Sequence, residues 1–494
     1  MGGDGGVPLR VWNTLQSAWR DEFALAAHVL RGERDFERLN LSVSNELLDR
    51  NHLAGFLGHC SLHYNTILLH VDIDLAPRLL AECLSRSELA MVFVRDDADS
   101  RVRFKQLSRD VREPGRTATP RIKPVLCVEV EEPVWPLAAR EAQELGVPGL
   151  SVIRGVRTSQ VAGDASPAFD EDVRRLARDV GRCRVGLALS AGAAKGLAHV
   201  GVIQVLEENG IEVDMIAGTS MGAYVGALWA FGHPAAFLEE KAHELERPGN
   251  LWSLIDPVLP PRQGFMRGEG VKRRLMRSIG DVQFAGLAVP FRVVATNLDT
   301  LERAVFDGGQ VASAVHASCA IPGACVPVEI NGEHYIDGGV SDPVPVDVLR
   351  EMGIEKVIAV NVIPTPAVLR CSREKTRELA EGRAPNGRDW SPLRTLNQQM
   401  NYFADGNILD VIQRSILGAQ IRNAEEACRA ADVVLRPVAC DAFWHDFKNA
   451  TRYVALGRRV TIEQLDAIRA LVRRPQPIRR HEPHNIVQSV AAAA

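Results

Sequence analysis

A strand-like run that is apolar except for Asp214, residues 213–217, passes through Gly218, Thr219, Ser220, Met221 and Gly222 directly into a helix-like run, residues 223–231. A short, largely apolar run reads as a strand buried on both faces, and sheets made of such strands are covered by helices. A chain that moves from buried strand to helix within a few residues must turn sharply. Glycines at 218 and 222 remove the Cβ atoms that would collide in the bend, and a serine at its apex projects its hydroxyl into open space. The following helix aims the positive end of its dipole at Ser220, which favours negative charge developing there. Gly-x-Ser-x-Gly by itself also describes an ordinary turn in which serine caps a helix, so the flanking segments carry the argument.

Upstream, residues 185–189 read as another buried strand, followed by Ser190, Ala191, Gly192, Ala193, Ala194, Lys195 and Gly196 and then by a helix-like run that ends near Gly210. A small-residue loop at a helix N-terminus leaves backbone N–H groups without partners, which suits an anion. The spacing of a nucleotide-binding P-loop is absent, so an oxyanion hole is the better use of those amides. Downstream, Tyr335, Ile336, Asp337, Gly338 and Gly339 place a carboxylate at the end of a short strand against two glycines. Asp-Gly alone is usually a turn.

In this order, the small-residue loop, the Gly-x-Ser-x-Gly elbow and Asp-Gly-Gly resemble the patatin-like phospholipases. The stretch Ala317, Ser318, Cys319, Ala320, Ile321, Pro322, Gly323 is similar to the Ala-Ser-x-x-x-Pro-Gly segment that precedes that family's aspartate. The resemblance covers roughly residues 184–446 and is strongest to the bacterial and neuropathy-target-esterase-type lysophospholipases. It implies a three-layer α/β/α domain with a mostly parallel central sheet. It also implies a Ser-Asp dyad in which Ser220 is the nucleophile and Asp337 the base, with an oxyanion hole in the loop from Ala191 to Gly196 around Gly192 and Ala193, and no metal or cofactor. The substrate implied is a phospholipid or lysophospholipid. A neutral-lipid or generic carboxylesterase would share every residue named, and a lipid-binding regulatory pseudoenzyme is the alternative from another class.

Histidine is the commoner base for a serine. His199, on the helix after the loop, His316, in a helix-like run, and His334, beside the Asp337 strand, each read as polar residues satisfied at element ends. Asp342, where the family often has asparagine, reads as a turn or capping residue. The loop departs from the family at Ala191 and Ala193, where glycine is usual. Alanine keeps the N–H but adopts a positive φ at a cost of roughly 1 kcal/mol or more. Either the loop is right-handed at these positions or activity is weakened.

Net charge of −4 and a pI near 6.4 give no general attraction to nucleic acid. The nine cysteines are scattered without Cys-x-x-Cys spacing, so neither a zinc site nor a disulfide framework is expected, and a reducing, cytoplasmic compartment fits. The first residues lack the basic and apolar regions of a secretory signal, and no apolar run is long enough to span a bilayer. Membrane contact is therefore expected to be peripheral, with Gly264, Phe265, Met266 and Arg267 followed by Lys272, Arg273, Arg274 and Arg277 as its clearest local signal. Oligomeric state is not legible.

Residues 1–182 read as a smaller α/β domain of unassigned role: helical spacing over 11–30, β-runs at 66–71, 89–94 and 124–130, and a helix over 169–180. Residues 183–472 read as the catalytic domain, with further buried strands at 291–298 and 357–363 and helices at 270–279, 345–352 and 404–429. Residues 364–403 read as a polar mobile insertion, and 473–494 as a flexible tail.

Overall fold

The computed structural model describes residues 27–31, 66–70, 84, 87, 89–111, 121–129, 141, 144–145, 151–156, 167–180, 183–246, 256–258, 260, 263–381, 408–439 and 446–472. Residues Arg184–Val472 form one unit, and the described residues before them belong to another.

In the first unit, strands β1 (Ala27–Arg31) and β2 (Thr66–His70) pair in parallel. A second parallel sheet joins β3 (Leu89–Val94), β4 (Arg121–Cys127) and β5 (Ser151–Ile153), flanked by α1 (Ala98–Val111) and α2 (Pro167–Val180). Val94, Phe104, Leu126 and Val152 form its core, and the Arg154 guanidinium donates to both oxygens of buried Asp172, at 2.7 and 2.8 Å. The helical spacing of residues 11–30 gives way to a strand at 27–31: pairing with β2 overrides local periodicity. Residues 11–26 lie outside the described residues.

The second unit is built on an eight-stranded sheet. Its centre is parallel: β6 (Val185–Leu189), β7 (Met215–Thr219), β8 (Phe291–Asn297), β12 (Lys356–Val360) and β13 (Val433–Leu435), in the order β8-β7-β6-β12-β13. Three antiparallel strands extend it, β9 (Arg303–Phe306), β10 (Val328–Ile330) and β11 (Glu333–Asp337). Side chains alternate between two cores, as a period-2 strand requires. Leu187, Leu189, Ile216, Phe291, Val293, Ile358 and Val360 face one core. It is completed by α3 (Ala198–Glu208), α4 (Met221–Ala230), α5 (Ala235–Glu246), α6 (Glu269–Ile279), α7 (Val311–Ser318) and α11 (Ala450–Glu463). Ala188, Met215, Ala217, Val294, Val357 and Ala359 face the other, completed by α8 (Val346–Glu351) and α10 (Ile408–Arg429). The result is helix, sheet, helix in three layers.

Four helices differ from the sequence reading. Residues 366–381, read as the start of an insertion, form helix α9 (Pro366–Glu381), and the rest of that stretch, like the tail after 472, lies outside the described residues. Helices α5, α11 and α12 (Leu465–Val472) were not anticipated. Among the described residues no helix is long and apolar enough to cross a membrane.

Candidate active site

Strand β8 determines where the two principal side chains meet. Its residues 293–296 pair with β9 along one edge, so β7 and β11 must both lie along the other. There β7 runs parallel to β8 and ends with Thr219 opposite Val294, while β11 runs antiparallel and ends with Asp337 opposite Ala295. The two strands abut end to end beside consecutive residues of one neighbour. Ser220, the residue after β7, and Asp337, the last of β11, come together without any long side chain having to reach.

Ser220 Oγ donates to Asp337 Oδ2 at 2.6 Å, and Gly339 N–H donates to Oδ1 at 2.7 Å. Ser220 has φ 55° and ψ −121°, a conformation L-residues rarely hold and one that marks a strained elbow. Two glycines make the approach: a Cβ on Gly222 would overlap the Leu189 carbonyl, and one on Gly338 would overlap the carbonyl of Val294. Ser318, at the end of α7, ties the elbow to the sheet. Its Oγ accepts from Ser220 N–H at 2.7 Å and donates to Val294 O at 2.6 Å. Thr219 Oγ1 donates to the Asp342 carbonyl at 3.0 Å, and Thr296 Oγ1 donates to the Asp337 carbonyl at 3.1 Å.

Leu189, the last residue of β6, pairs with Gly218, which brings the small-residue loop beside the elbow. Ala191 N–H donates to Pro343 O at 2.9 Å and is therefore engaged. Gly192 and Ala193 N–H have no acceptor among the described residues, and the 3₁₀ turn Ala193–Leu197 begins here. Of the two alanines, only Ala193 takes a positive φ, 46°. Ala194, Lys195 and Gly196 are buried in the 3₁₀ turn, and Gly196 packs against Met221. The Lys195 ammonium has no partner among the described residues, and burial pulls its pKa down to about 8.

Burial pushes the Asp337 carboxyl up to about 6, against the hydrogen bonds from Ser220 and Gly339 that favour its charged form. Asp342 is also pushed up to about 6 by burial, opposed by Arg303, whose guanidinium lies 3.3 Å away. None of the three histidines is seen bonded to Ser220 or Asp337. His199 Nε2 lies 2.9 Å from the Ser190 carbonyl, His316 Nε2 lies 3.1 Å from that of Arg267, and His334 lies at the surface beside Asp299. The Cys319 thiol sits beside Ser220, and burial raises its pKa well above the ordinary value. Ser318, Thr296 and Cys319 had no role assigned from sequence. The signal for Ser318 was its place in the Ala-Ser-x-x-x-Pro-Gly segment.

The basic run on α6 does not form one exposed face. Arg274 is buried, donating to Glu244 at 2.7 Å, and Arg273 is shared between Glu269 at 3.1 Å and Asp256 at 3.6 Å. Among the described residues no group of His, Cys, Asp and Glu could hold a metal ion.

Residues 187–350, which hold every group in this site, match the family model described as patatin-like phospholipase. The chain carries a patatin-like phospholipase domain. It is 27% identical over 347 residues to Lysophospholipase NTE1 of Cryptococcus neoformans, covering 63% of this chain and 21% of that protein. To an uncharacterized NTE family protein of Mycobacterium tuberculosis it is 37% identical over 181 residues, covering 36% of this chain and 49% of the relative. The chain thus spans half or less of these relatives' lengths. Among solved structures, VipD from Legionella pneumophila aligns with 58% of this chain and 67% of its own, at 15% identity and a TM-score of 0.32. The matched stretch contains the elbow, the small-residue loop and Asp-Gly-Gly and ends within α8, while the sheet it belongs to continues through β12 and β13.

Proposed function

We propose that the chain is a serine esterase that hydrolyses acyl esters of phospholipids or lysophospholipids through a Ser220–Asp337 dyad. The observation that carries this reading is the 2.6 Å hydrogen bond from Ser220 Oγ to a buried carboxylate whose pKa, about 6, lies close to neutral. A base with a pKa near the working pH combines availability with proton affinity. The substrate class rests on the family and on the relatives' printed names.

In the first half-reaction Ser220 Oγ attacks the ester carbonyl carbon while Asp337 Oδ2 takes the hydroxyl proton. Negative charge moves to the carbonyl oxygen, where the N–H groups of Gly192 and Ala193 stabilise it. Asp337 returns the proton to the departing alcohol oxygen, leaving an acyl ester on Ser220. Water then attacks that ester, with Asp337 taking its proton and delivering one back to Ser220, and the fatty acid leaves. No metal or cofactor enters the scheme, and contact with the lipid is peripheral.

A serine-directed fluorophosphonate should label the native protein and not Ser220→Ala, and hydrolysis of a panel of diacyl phospholipid, lysophospholipid, triacylglycerol and short-chain ester should disappear in the same variant. Undiminished hydrolysis in Ser220→Ala would move the nucleophile elsewhere. A native protein that neither labels nor cleaves any ester would make the domain a lipid-binding pseudoenzyme.

A further inference from the structure

His199 is completely buried, and the dyad does not use it. Its Nε2 lies 2.9 Å from the Ser190 carbonyl, and its Nδ1 is buried with no partner. A carbonyl oxygen can only accept, so Nε2 must carry the hydrogen and Nδ1 must be bare. A charged ring would place a second N–H against nothing, and burial holds its pKa down near 4. The ring is thus a neutral donor of fixed tautomer.

Ser190 is the hinge between β6 and the small-residue loop. Its N–H donates to Val360 O at 3.1 Å and its Oγ accepts from Val362 N–H at 3.0 Å. Its carbonyl takes the His199 hydrogen. That carbonyl belongs to the same rigid peptide plane as the Ala191 N–H, which points the other way to Pro343 O. Holding both ends of this peptide sets the direction from which the chain enters Gly192 and Ala193. The Ser190 carbonyl also borders the nucleophile helix, since a Cβ on Gly222 would stand 2.7 Å from it, while one on Gly196 would stand 3.6 Å from His199 Cδ2. The imidazole therefore lies where loop and elbow meet.

We propose that His199 is a positioning residue: its Nε2–H fixes the Ser190–Ala191 peptide and thereby aims the Gly192 and Ala193 N–H groups at the oxyanion formed on the substrate of Ser220. The proposal rests on the hydrolase reading above, and the test separates the two. Glutamine can place an amide N–H near the position of Nε2, whereas asparagine places it near that of Nδ1, too short to reach Ser190. His199→Asn should lower kcat on a p-nitrophenyl ester by about 10- to 100-fold with KM changed less than about twofold, because a misaimed oxyanion donor acts in the transition state. His199→Gln should recover kcat to within about threefold of native. Nitrogen-15 NMR of the native protein, with the His199 resonance identified by its loss in His199→Gln, should report the Nε2–H tautomer without titration from pH 5 to 8. Equal kcat in Asn and native protein would overturn the proposal, as would a matching loss in Gln and Asn, or a His199 ring that titrates or carries hydrogen on Nδ1. A native protein without Ser220-dependent turnover would sink the hydrolase reading and, with it, this one; the NMR result would still stand for the hydrogen bond alone.

Discussion

Replacing Asp337 by asparagine should remove activity and stabilise the fold. In the folded protein the carboxyl's pKa moves from 3.8 to about 6, with burial as the cause. A displacement of that size corresponds to about 3 kcal/mol favouring the protonated form. Because the folded-state pKa lies above the unfolded one, the folded chain binds this proton more tightly. The carboxylate therefore destabilises the fold fully above about pH 6, and the penalty fades as pH falls towards 3.8. An asparagine carries no charge at any of these values and can keep both contacts. Its oxygen accepts from Gly339 N–H as Oδ1 does at 2.7 Å, and its amide donates to Ser220 Oγ, reversing the 2.6 Å bond. Allowing for imperfect geometry, the net gain at pH 7.5 should be about 1–3 kcal/mol, or roughly 2–5 °C in Tm for a unit of this size. Thermal unfolding followed by near-ultraviolet circular dichroism, native and variant side by side from pH 4.5 to 8, measures the difference directly. The reasoning is refuted if Asp337→Asn is less stable than native at pH 7.5, or if the gain does not shrink as pH falls.

Three further outcomes follow from the same geometry. The rate kcat/KM should fall below about pH 6 as Asp337 is protonated, and the limb should persist in Asp342→Asn; its loss there would assign the titration to Asp342, which also lies at about 6. Ser318→Ala strands the Ser220 N–H and deprives Val294 O of its donor, so it should lower stability by about 1–3 kcal/mol and slow turnover, with urea unfolding and kcat as the measurements. Ala193→Gly relieves a left-handed alanine worth about 1–2 kcal/mol but loosens the unfolded chain by about 0.4–1 kcal/mol, so stability should change by less than about 1.5 kcal/mol and kcat should hold or rise. A tenfold fall in kcat would show that the Ala193 methyl group holds the loop in shape.

The central parallel strands β6, β7, β8 and β12 were legible because each is a short, largely apolar run that is mostly buried, and the elbow because glycine, serine and glycine sit between such a run and a helix. Less was legible where residues do two jobs. The segment holding β9 is partly exposed and carries charge at Arg303, so its pairing with β8 leaves no clean alternation to read. Arg274 belongs to a basic run by sequence yet lies buried against Glu244, because consecutive helical residues point about 100° apart, which leaves Arg273 towards solvent and turns Arg274 to the core. Ala191 and Ala193 look alike in sequence. Their difference comes from the acceptor at Pro343, 152 residues on from Ala191, which engages one amide while the next two have no acceptor among the described residues. Distance in sequence also hides Ser318, 98 residues from Ser220, whose hydroxyl has meaning only once β8 and the elbow are adjacent.

The proposed dyad without histidine would place a particular demand on the fold, because aspartate has a short side chain and cannot search for its partner. Here the demand is met by strand register. Asp337 lies opposite Ala295 and Thr219 opposite Val294, so the separation of the Asp337 carboxyl and the Ser220 hydroxyl is set by two consecutive residues of β8. A two-residue slip of β11 would preserve its inward and outward faces but carry the carboxylate about 7 Å along the strand, beyond any hydrogen bond to Ser220. Face alternation alone therefore cannot fix the site. Gly338 against the Val294 carbonyl and Thr296 Oγ1 on the Asp337 carbonyl select one register among those that bury the right side chains. The same enclosure desolvates Asp337 and raises its proton affinity, so the contacts that specify its position also tune the basicity the proposed dyad would use.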